Sequence, residues 1–276
     1  MPAVRLRAGD RQARVAYLIA RTATLVRNLK LTIEYEGTNY VGWQRQPAGV
    51  SIQALLEDAL APIEKRAVVV HGAGRTDAGV HALAQVASVE VALALDAETL
   101  QRALNAVLPA DVRVLAIAEM PASFHARFSA ISKTYEYRIV NAPYVSAFLH
   151  RYVWHVPQRL DVDAMREGAS ALAGRHDFAA FQAAGTPVES AERTIHEIAW
   201  SGGGGPHQPL VLRVRGDGFL RHMVRAIAGT LVDVGSGRWP ASHVASILAS
   251  RRRVSAGRSA PPPGLFLVEV GYPAEP

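Results

Sequence analysis

Residues 67–91, AVVVHGAGRTDAGVHALAQVASVEV, contain two apolar runs separated by a glycine-rich segment. The runs AVVVHG (67–72) and AQVASVEV (84–91) predict two strands, and the glycines between them predict a loop. Three adjacent polar residues, at positions 75–77, interrupt the small residues of that loop. The pattern therefore predicts a strand–loop–strand unit that presents a short polar group at one end.

The neighbouring segments extend this unit on both sides. LKLTIEY (29–35) alternates apolar and polar residues as a half-buried strand does, and VRVLAIA (112–118) predicts another strand. Ser51 is a predicted N-cap for a helix over 52–65. Asp96 is a predicted N-cap for a second helix, with Leu100, Ala103, Leu104 and Val107 on one face. The first half is therefore predicted to run β-α-β-β-α-β.

A second cycle of strands and helices follows. The tetraglycine 202–205 is predicted to be a flexible hairpin connection between two of these strands. The other predicted elements are strands at 133–141, 193–200, 210–216 and 265–272, and helices near 161–173, over 219–234 and from about Pro240. Hairpins mixed with helices predict an α+β fold with largely antiparallel sheets.

The composition limits the class of protein. The chain has 276 residues, 49% of them hydrophobic, so it can bury a large core. It has no cysteine, which excludes disulfides, thiolate nucleophiles and cysteine zinc sites. No apolar run is long enough to span a membrane and no secretory signal is evident, so we expect a cytoplasmic protein without membrane contact.

Positive charge is unevenly distributed along the chain, whose net charge is +6. Residues 1–27 carry six arginines and one acid, and we expect them to be a disordered extension. After this extension, two domains are predicted, at 28–122 and 123–276. Residues 210–258 carry nine arginines against two aspartates, which favours either a phosphate-binding surface or a solvated helical face.

The glycine-rich loop matches none of the common phosphate-binding or catalytic motifs. Gly74 is followed by Arg75 and Thr76 rather than Lys-Ser/Thr, and Asp77 stands where a dinucleotide fingerprint needs glycine. His71 and His81 do not have metal-ligand spacing, and there is no GxSxG motif. We therefore predict neither a metal nor a cofactor.

Two interpretations of Asp77 remain open on residue chemistry alone. A carboxylate beside a cation on a glycine-rich turn can act as a nucleophile, because the cation keeps it ionised. The plainer alternative is an Asx turn, in which Asp77 bonds its own backbone and Arg75 faces solvent. Thr76 is assigned no role beyond turn geometry.

Six blocks in order resemble the tRNA pseudouridine synthase A family. GRTDAGVHA (74–82) is similar to the family's catalytic signature, KTYEYRI (133–139) to its tyrosine motif and FLRHMVRAIAGTL (219–231) to its arginine motif. The remaining blocks are EYEGTNYVGWQRQ (34–46), FHARFSA (124–130) and GLFLVEVGYP (264–273). The resemblance covers residues from about 28 to 273 and implies two ferredoxin-like or RRM-like halves that meet at a central catalytic cleft.

The resemblance implies a role for each matching residue. Asp77 would attack the uridine, at ribose C1′ or uracil C6, and Arg225 would pair with it. Arg75 would fill the space of the flipped nucleotide. Tyr135 would lie against the uracil and remove the C5 proton, while Leu265 would pack in the uracil pocket. Without the motif, Tyr135 and Tyr137 are equivalent core aromatics on one strand face, and His222 and the NYVGW segment are interpreted as structural.

The resemblance also implies the partners. Phe124, His125, Ala126, Arg127 and Phe128 would contact tRNA, whose anticodon arm would bind to a homodimer and be modified at uridines 38 to 40. The chain departs from the family near Leu95, where a basic residue is usual, and in GTPVE (185–189), which is less basic. The alternatives are a pseudouridine synthase with a different RNA site, a non-catalytic RNA-binding module on the same scaffold, and a phosphate-ester hydrolase that uses Asp77 for metal or phosphoenzyme chemistry.

Overall fold

Both halves of the chain contribute to one sheet in the computed structural model, which describes residues 26–92, 94–185 and 188–273. The strands found there are β1 (Arg27–Tyr35), β2 (His71–Gly72), β3 (His81–Val91), β4 (Val112–Met120), β5 (Ser132–Val140), β6 (Trp154–His155), β7 (Gly174–Asp177), β8 (Glu192–Gly205), β9 (Gln208–Gly216) and β10 (Leu265–Gly271). The α-helices of the same residues are α1 (Ile52–Glu64), α2 (Ala97–Val107), α3 (Val162–Ser170), α4 (Met223–Gly235) and α5 (His243–Ser250).

The strand order is the same in each half of the sheet. The whole path is β4-β1-β3-β10-β5-β9-β8-β7, with β2 beside β3 and β6 beside β5. The first half therefore has the order β4-β1-β3-β2, and the second half repeats it as β10-β5-β9-β8. The paired strands are antiparallel except β3 with β10 and β5 with β6. The predicted α+β class with largely antiparallel pairing is confirmed.

The two halves of the chain share one sheet and are joined through it. They do not form separate sheets. β10 pairs in parallel with β3, which sets Leu267 beside Ala82 and Phe266 beside His81. All four side chains are buried, so this pairing covers two strand edges that would otherwise be open. One apolar core includes residues of both halves. The domain boundary at 122/123 falls in the connection from β4 to β5 and stays a prediction.

The elements around the first core follow from their sequences. The predicted alternation of β1 is confirmed, because Leu29, Leu31 and Ile33 are all buried. Ser51 caps α1 by accepting a hydrogen bond from the backbone N–H of Ala54, as predicted. Asp96 caps α2 in the same way, through the N–H of Thr99. On α2 the predicted apolar face is wrong in one member: Val107 is 67% exposed.

Two predicted strands differ from the structure. The strand over 67–72 is reduced to β2, because side chains of α1 take the backbone groups of Val70: Gln53 donates to its carbonyl at 3.1 Å and Glu57 accepts from its N–H at 3.1 Å. The tetraglycine 202–205 is the irregular end of β8, not the connection itself. Its glycines all have positive φ, and the turn falls at 206–207.

Some predictions concern helix starts or lie outside the described residues. α4 begins at Met223 instead of residue 219, and α5 begins at His243 instead of near Pro240. An extension is predicted for residues 1–27. Residues 1–25 lie outside the described residues, and Arg27 is the first residue of β1. Residues 186 and 187 of the GTPVE segment also lie outside it. None of the described helices has both the length and the apolar character required to cross a membrane.

Candidate active site

The loop that carries Asp77 is held by the segment just after β1. Trp43 donates its backbone N–H to the carbonyl of Thr76 at 3.0 Å, and Gly79 donates to the carbonyl of Tyr40 at 3.3 Å. Gly42 has φ +103°, and a Cβ added there would lie 2.5 Å from the Thr76 oxygen. A glycine is therefore required at position 42 for the two loops to approach so closely.

Thr76 connects the loop that carries Asp77 to strand β1 of the sheet. Its hydroxyl shares a 2.7 Å hydrogen bond with the hydroxyl of Tyr35 on β1, and both side chains are buried. Gln85 on β3 donates to the carbonyl of Gly74 at 2.9 Å and to the Tyr35 hydroxyl at 3.4 Å. Burial raises the pKa of Tyr35 to about 12, so the phenol stays neutral. Thr76, to which the sequence assigns no role beyond turn geometry, thus fixes the position of its neighbour, Asp77.

Cationic side chains surround the Asp77 carboxylate, which is partly open to solvent. Its oxygens lie 3.5 Å from Nη1 of Arg225 and 4.0 Å from Nε of Arg221. Arg225 is held in place by donating from Nε to the carbonyl of Ala260 at 2.7 Å. The structure therefore brings together Asp77 and Arg225, which are 148 residues apart, and the side-chain hydrogen bond of Asp77 goes to Arg225 instead of its own turn. This geometry disfavours the Asx-turn interpretation.

His222, which the sequence analysis interpreted as structural, is a further neighbour of Asp77. Its Nε2 lies 3.4 Å from the Asp77 carboxylate, and its backbone has φ +62° at the residue before α4. A left-handed conformation is uncommon for residues other than glycine and directs this side chain toward the loop. Burial lowers the pKa of His222, the charges of Arg225 and Arg221 lower it further, and Asp77 raises it. No local sequence pattern signals such a conformation.

The segment after α5 fixes Arg225 by approaching α4 closely. The backbone N–H of Ala260 donates to the carbonyl of Arg225 at 2.9 Å, and that of Gly257 donates to the hydroxyl of Thr230 at 3.0 Å. A Cβ at position 229 would lie 1.8 Å from the carbonyl oxygen of Arg258. Gly229 therefore allows the contact that orients the arginine.

The structure separates the two tyrosines that the sequence left equivalent. Tyr137 is a core residue: it is fully buried and donates its hydroxyl to the carbonyl of Pro261 at 2.7 Å. The Tyr135 ring packs edge-on against Phe219 at 5.1 Å, and its hydroxyl has no hydrogen-bond partner in the described part of the chain. Burial raises the pKa of Tyr135, and the charge of Asp77 raises it further. Tyr135 is thus the tyrosine whose hydroxyl is available to a ligand near Asp77.

The other predicted contact residues fall into a buried and an exposed group. Leu265 is buried at the start of β10 opposite Tyr137. In the connection from β4 to β5, Phe124 packs on Tyr272 at 5.1 Å and Ala126 is buried. The side chains that face outward are Arg75, Arg127 and Phe128, which is 76% exposed, with His125 partly exposed between the rings of His71 and Phe128. The exposed group has the mixture of rings and cations that single-stranded nucleic acid binds.

Known proteins resemble this chain over most of its length. A family model described as tRNA pseudouridine synthase matches residues 31–129 and 169–273. A tRNA pseudouridine synthase A of Bacillus pumilus (strain SAFR-032) is 44% identical over 88% of this chain and 98% of its own length. A protein of the same name from Myxococcus xanthus is 48% identical over 88% of this chain and 91% of its own length. The chain therefore belongs to the tRNA pseudouridine synthase family.

Proposed function

We propose that this chain is an isomerase that converts uridine to pseudouridine in tRNA, at positions 38, 39 and 40 of the anticodon arm. The observation that carries the proposal is the Asp77 carboxylate, which is partly open to solvent and lies 3.5 Å from the anchored guanidinium of Arg225. A simple RNA-binding surface does not need a carboxylate among its cations, because that charge repels phosphates. Relatives that are 40–48% identical carry the name tRNA pseudouridine synthase A.

The reaction exchanges one glycosidic bond for another and needs one nucleophile. Asp77 attacks the uridine, at ribose C1′ or at uracil C6, and the bond between N1 and C1′ breaks. The uracil turns and C5 bonds to C1′. Asp77 leaves C1′ as that bond forms, or leaves C6 after it has formed, and the C5 proton is lost while N1 gains a proton. Arg225 orients Asp77 for the attack, through the 3.5 Å hydrogen bond from its Nη1 to the carboxylate.

Tyr135 is proposed to lie against the uracil and to accept the C5 proton. Because its pKa is raised, the phenol carries its own proton near neutral pH. Its hydroxyl proton therefore has to pass to solvent, from which N1 takes its proton, as the C5 proton arrives. Leu265 would pack on the apolar side of the same base.

Access to a base in a stem requires that the nucleotide be flipped out of its stack. That step costs a few kcal/mol, and a side chain that fills the vacated space offsets part of it. Arg75 is exposed on the same loop as Asp77, two residues away, so it can fill that space. Phe124 to Phe128 would contact the neighbouring nucleotides, with His125, Arg127 and Phe128 facing outward and Phe124 and Ala126 anchoring the segment.

The assembly is also part of the proposal. We infer two ferredoxin-like halves, supported by the strand order that the second half repeats. We also infer a cytoplasmic homodimer that binds one tRNA across both subunits.

The proposal is tested with Asp77→Asn, which keeps the shape of the side chain but removes its charge. The wild type should form pseudouridine in an unmodified tRNA transcript at positions 38 to 40, and Asp77→Asn should form none while still binding the tRNA. Asp163→Asn, at an exposed carboxylate on α3, is the matched control and should retain activity. Full activity of Asp77→Asn would refute the nucleophile, and product only at other positions would refute the proposed site on tRNA.

A further inference from the structure

Lys133 is a half-buried lysine next to the catalytic loop. It lies on β5 two residues before Tyr135, so the two side chains leave the same face of the sheet. A Cβ added to Gly74 would lie 3.3 Å from Cε of Lys133. The ammonium end of the lysine therefore lies next to the loop that presents Asp77.

The Lys133 ammonium has no hydrogen bond or ion pair within residues 26–92, 94–185 and 188–273. Burial lowers the pKa of Lys133, and the positive charges of Arg127 and Arg193 lower it further. Asp217, whose charge opposes this effect, accepts a hydrogen bond from the backbone N–H of Thr194 at 3.0 Å. Lys133 therefore has two cations near it and no carboxylate paired to its ammonium in the described residues, while Arg193 donates from Nη1 to the carbonyls of Ser190 at 3.0 Å and Glu192 at 2.6 Å.

An unpaired, half-buried ammonium with other cations near it is unfavourable while no ligand is bound. Buried charges are normally paired, and like charges repel each other when solvent is partly excluded. Groups held in this state are concentrated at functional sites, where a ligand supplies the missing charge. The ligand that fits Lys133, Arg127 and Arg193 is an anion with several acceptor oxygens.

Lys133 and Arg193 lie beside residues that are proposed to hold the reacting base. Arg193 packs against Gly218, which precedes Phe219, and the Phe219 ring contacts Tyr135. A nucleotide bound with its base at Tyr135 and Asp77 carries a phosphate on each side of its ribose. One of these phosphates is therefore the anion nearest to the three cations.

We propose that Lys133 binds the RNA backbone phosphate adjacent to the flipped uridine, with Arg127 and Arg193 facing the same phosphate. This inference rests on the proposed function for the identity of the RNA. Lysine suits such a contact as a compact point charge, and its pKa returns toward the ordinary value when the phosphate is bound.

The first test compares Lys133→Met with the wild type by equilibrium binding of an unmodified tRNA transcript and by urea denaturation. The Kd should rise about tenfold or more, because a charge-assisted hydrogen bond is lost. The slope of log Kd against log salt concentration should fall by about 0.7, as for one lost phosphate contact. The free energy of unfolding should stay the same or increase, because methionine removes an unpaired charge.

Two further variants distinguish the loss of the Lys133 contact from a general loss of positive charge. Lys133→Arg keeps the cation and should restore most of the affinity. Lys65→Met removes an exposed charge at the end of α1 and should leave the Kd near the wild-type value. A Lys133→Met protein that binds tRNA as well as the wild type, or that is less stable with unchanged affinity, would overturn the proposal.

The second test identifies the phosphate. Anticodon stem-loops are prepared with a neutral methylphosphonate at the phosphate 5′ or 3′ of the target uridine. On one of these RNAs the difference in Kd between wild type and Lys133→Met should disappear, since both partners of the contact are then removed. An unchanged difference on both would refute the assignment. Binding is measured without turnover, so a protein that binds through Lys133 but forms no pseudouridine would refute the proposed function alone.

Discussion

The hydrogen bond between Thr76 and Tyr35 is expected to hold the loop that carries Asp77 in place. The two hydroxyls lie 2.7 Å apart, and the residues are 6% and 3% exposed. Thr76→Val keeps the volume of the side chain but leaves the Tyr35 hydroxyl with only the 3.4 Å contact from Gln85. We expect it to lower the free energy of unfolding by about 1–3 kcal/mol, the cost of leaving a buried polar group unsatisfied.

The partner substitution makes this estimate specific. Tyr35→Phe should cost a similar amount, because it leaves the Thr76 hydroxyl unpaired. The double variant should cost less than the sum of the two, since removing both partners leaves no unsatisfied hydroxyl. The resulting coupling energy is expected to be about 1 kcal/mol or more. Both single variants should also lower kcat, because the position of Asp77 depends on Thr76.

Urea denaturation of the four proteins measures the coupling energy, and single-turnover formation of pseudouridine measures the effect on chemistry. Thr134→Val is the control: it removes a buried hydroxyl that donates to Glu269 at 3.2 Å, on the opposite face of β5 from Tyr135. It should reduce stability without a comparable loss of kcat. Additivity of Thr76→Val and Tyr35→Phe within about 0.3–0.5 kcal/mol would refute the reasoning, because independent sites behave in that way.

Three other variants test the remaining geometry. Gly42→Ala should lower both kcat and stability, the latter by more than about 1 kcal/mol, because its Cβ would lie 2.5 Å from the Thr76 oxygen at a positive φ; wild-type kcat would contradict this. Arg225→Lys should reduce kcat strongly, because one ammonium cannot bond the Ala260 carbonyl and Asp77 as the guanidinium does. Equal single-turnover rates for the wild type and Arg225→Lys would show that the two hydrogen bonds of the guanidinium are not needed. Burial lowers the pKa of His81, and its Nδ1 accepts from the N–H of Gly37, so the folded protein holds it neutral. Below the ordinary value of 6.5 the unfolded chain takes up the proton first, so the free energy of unfolding should fall as pH decreases from about 6.5. His81→Gln should flatten that dependence in urea denaturation, and an unchanged pH slope would contradict the assignment.

Local sequence patterns predicted the elements whose stability is local. The alternation of β1 and the caps of α1 and α2 each depend on residues within a few positions of one another. The prediction failed for the strand over 67–72, which is reduced to His71–Gly72, because side chains of α1 bond the backbone groups of Val70. An apolar run does not indicate which partner its backbone will find.

The candidate site was only partly predictable. Asp77, Tyr135, Arg225 and Leu265 were identified because their motifs resemble those of a family, and the structure places Arg225 against Asp77. His222 was not, since its contact with Asp77 depends on a left-handed backbone that histidine does not signal in a sequence. Lys133 was also missed, because an unpaired lysine is visible only once its surroundings are known.

The sequence by itself determined the α+β class, the capped helices and a polar loop containing Asp77, since these follow from spacing and residue type over short distances. Only the tertiary structure decided that one sheet joins the halves through β3 and β10, and that Thr76 meets Tyr35 from 41 residues away. It also decided that Lys133 lies beside Gly74. These contacts depend on strand order and on how loops cross the sheet, and no local pattern encodes the pairing of segments so distant in the chain.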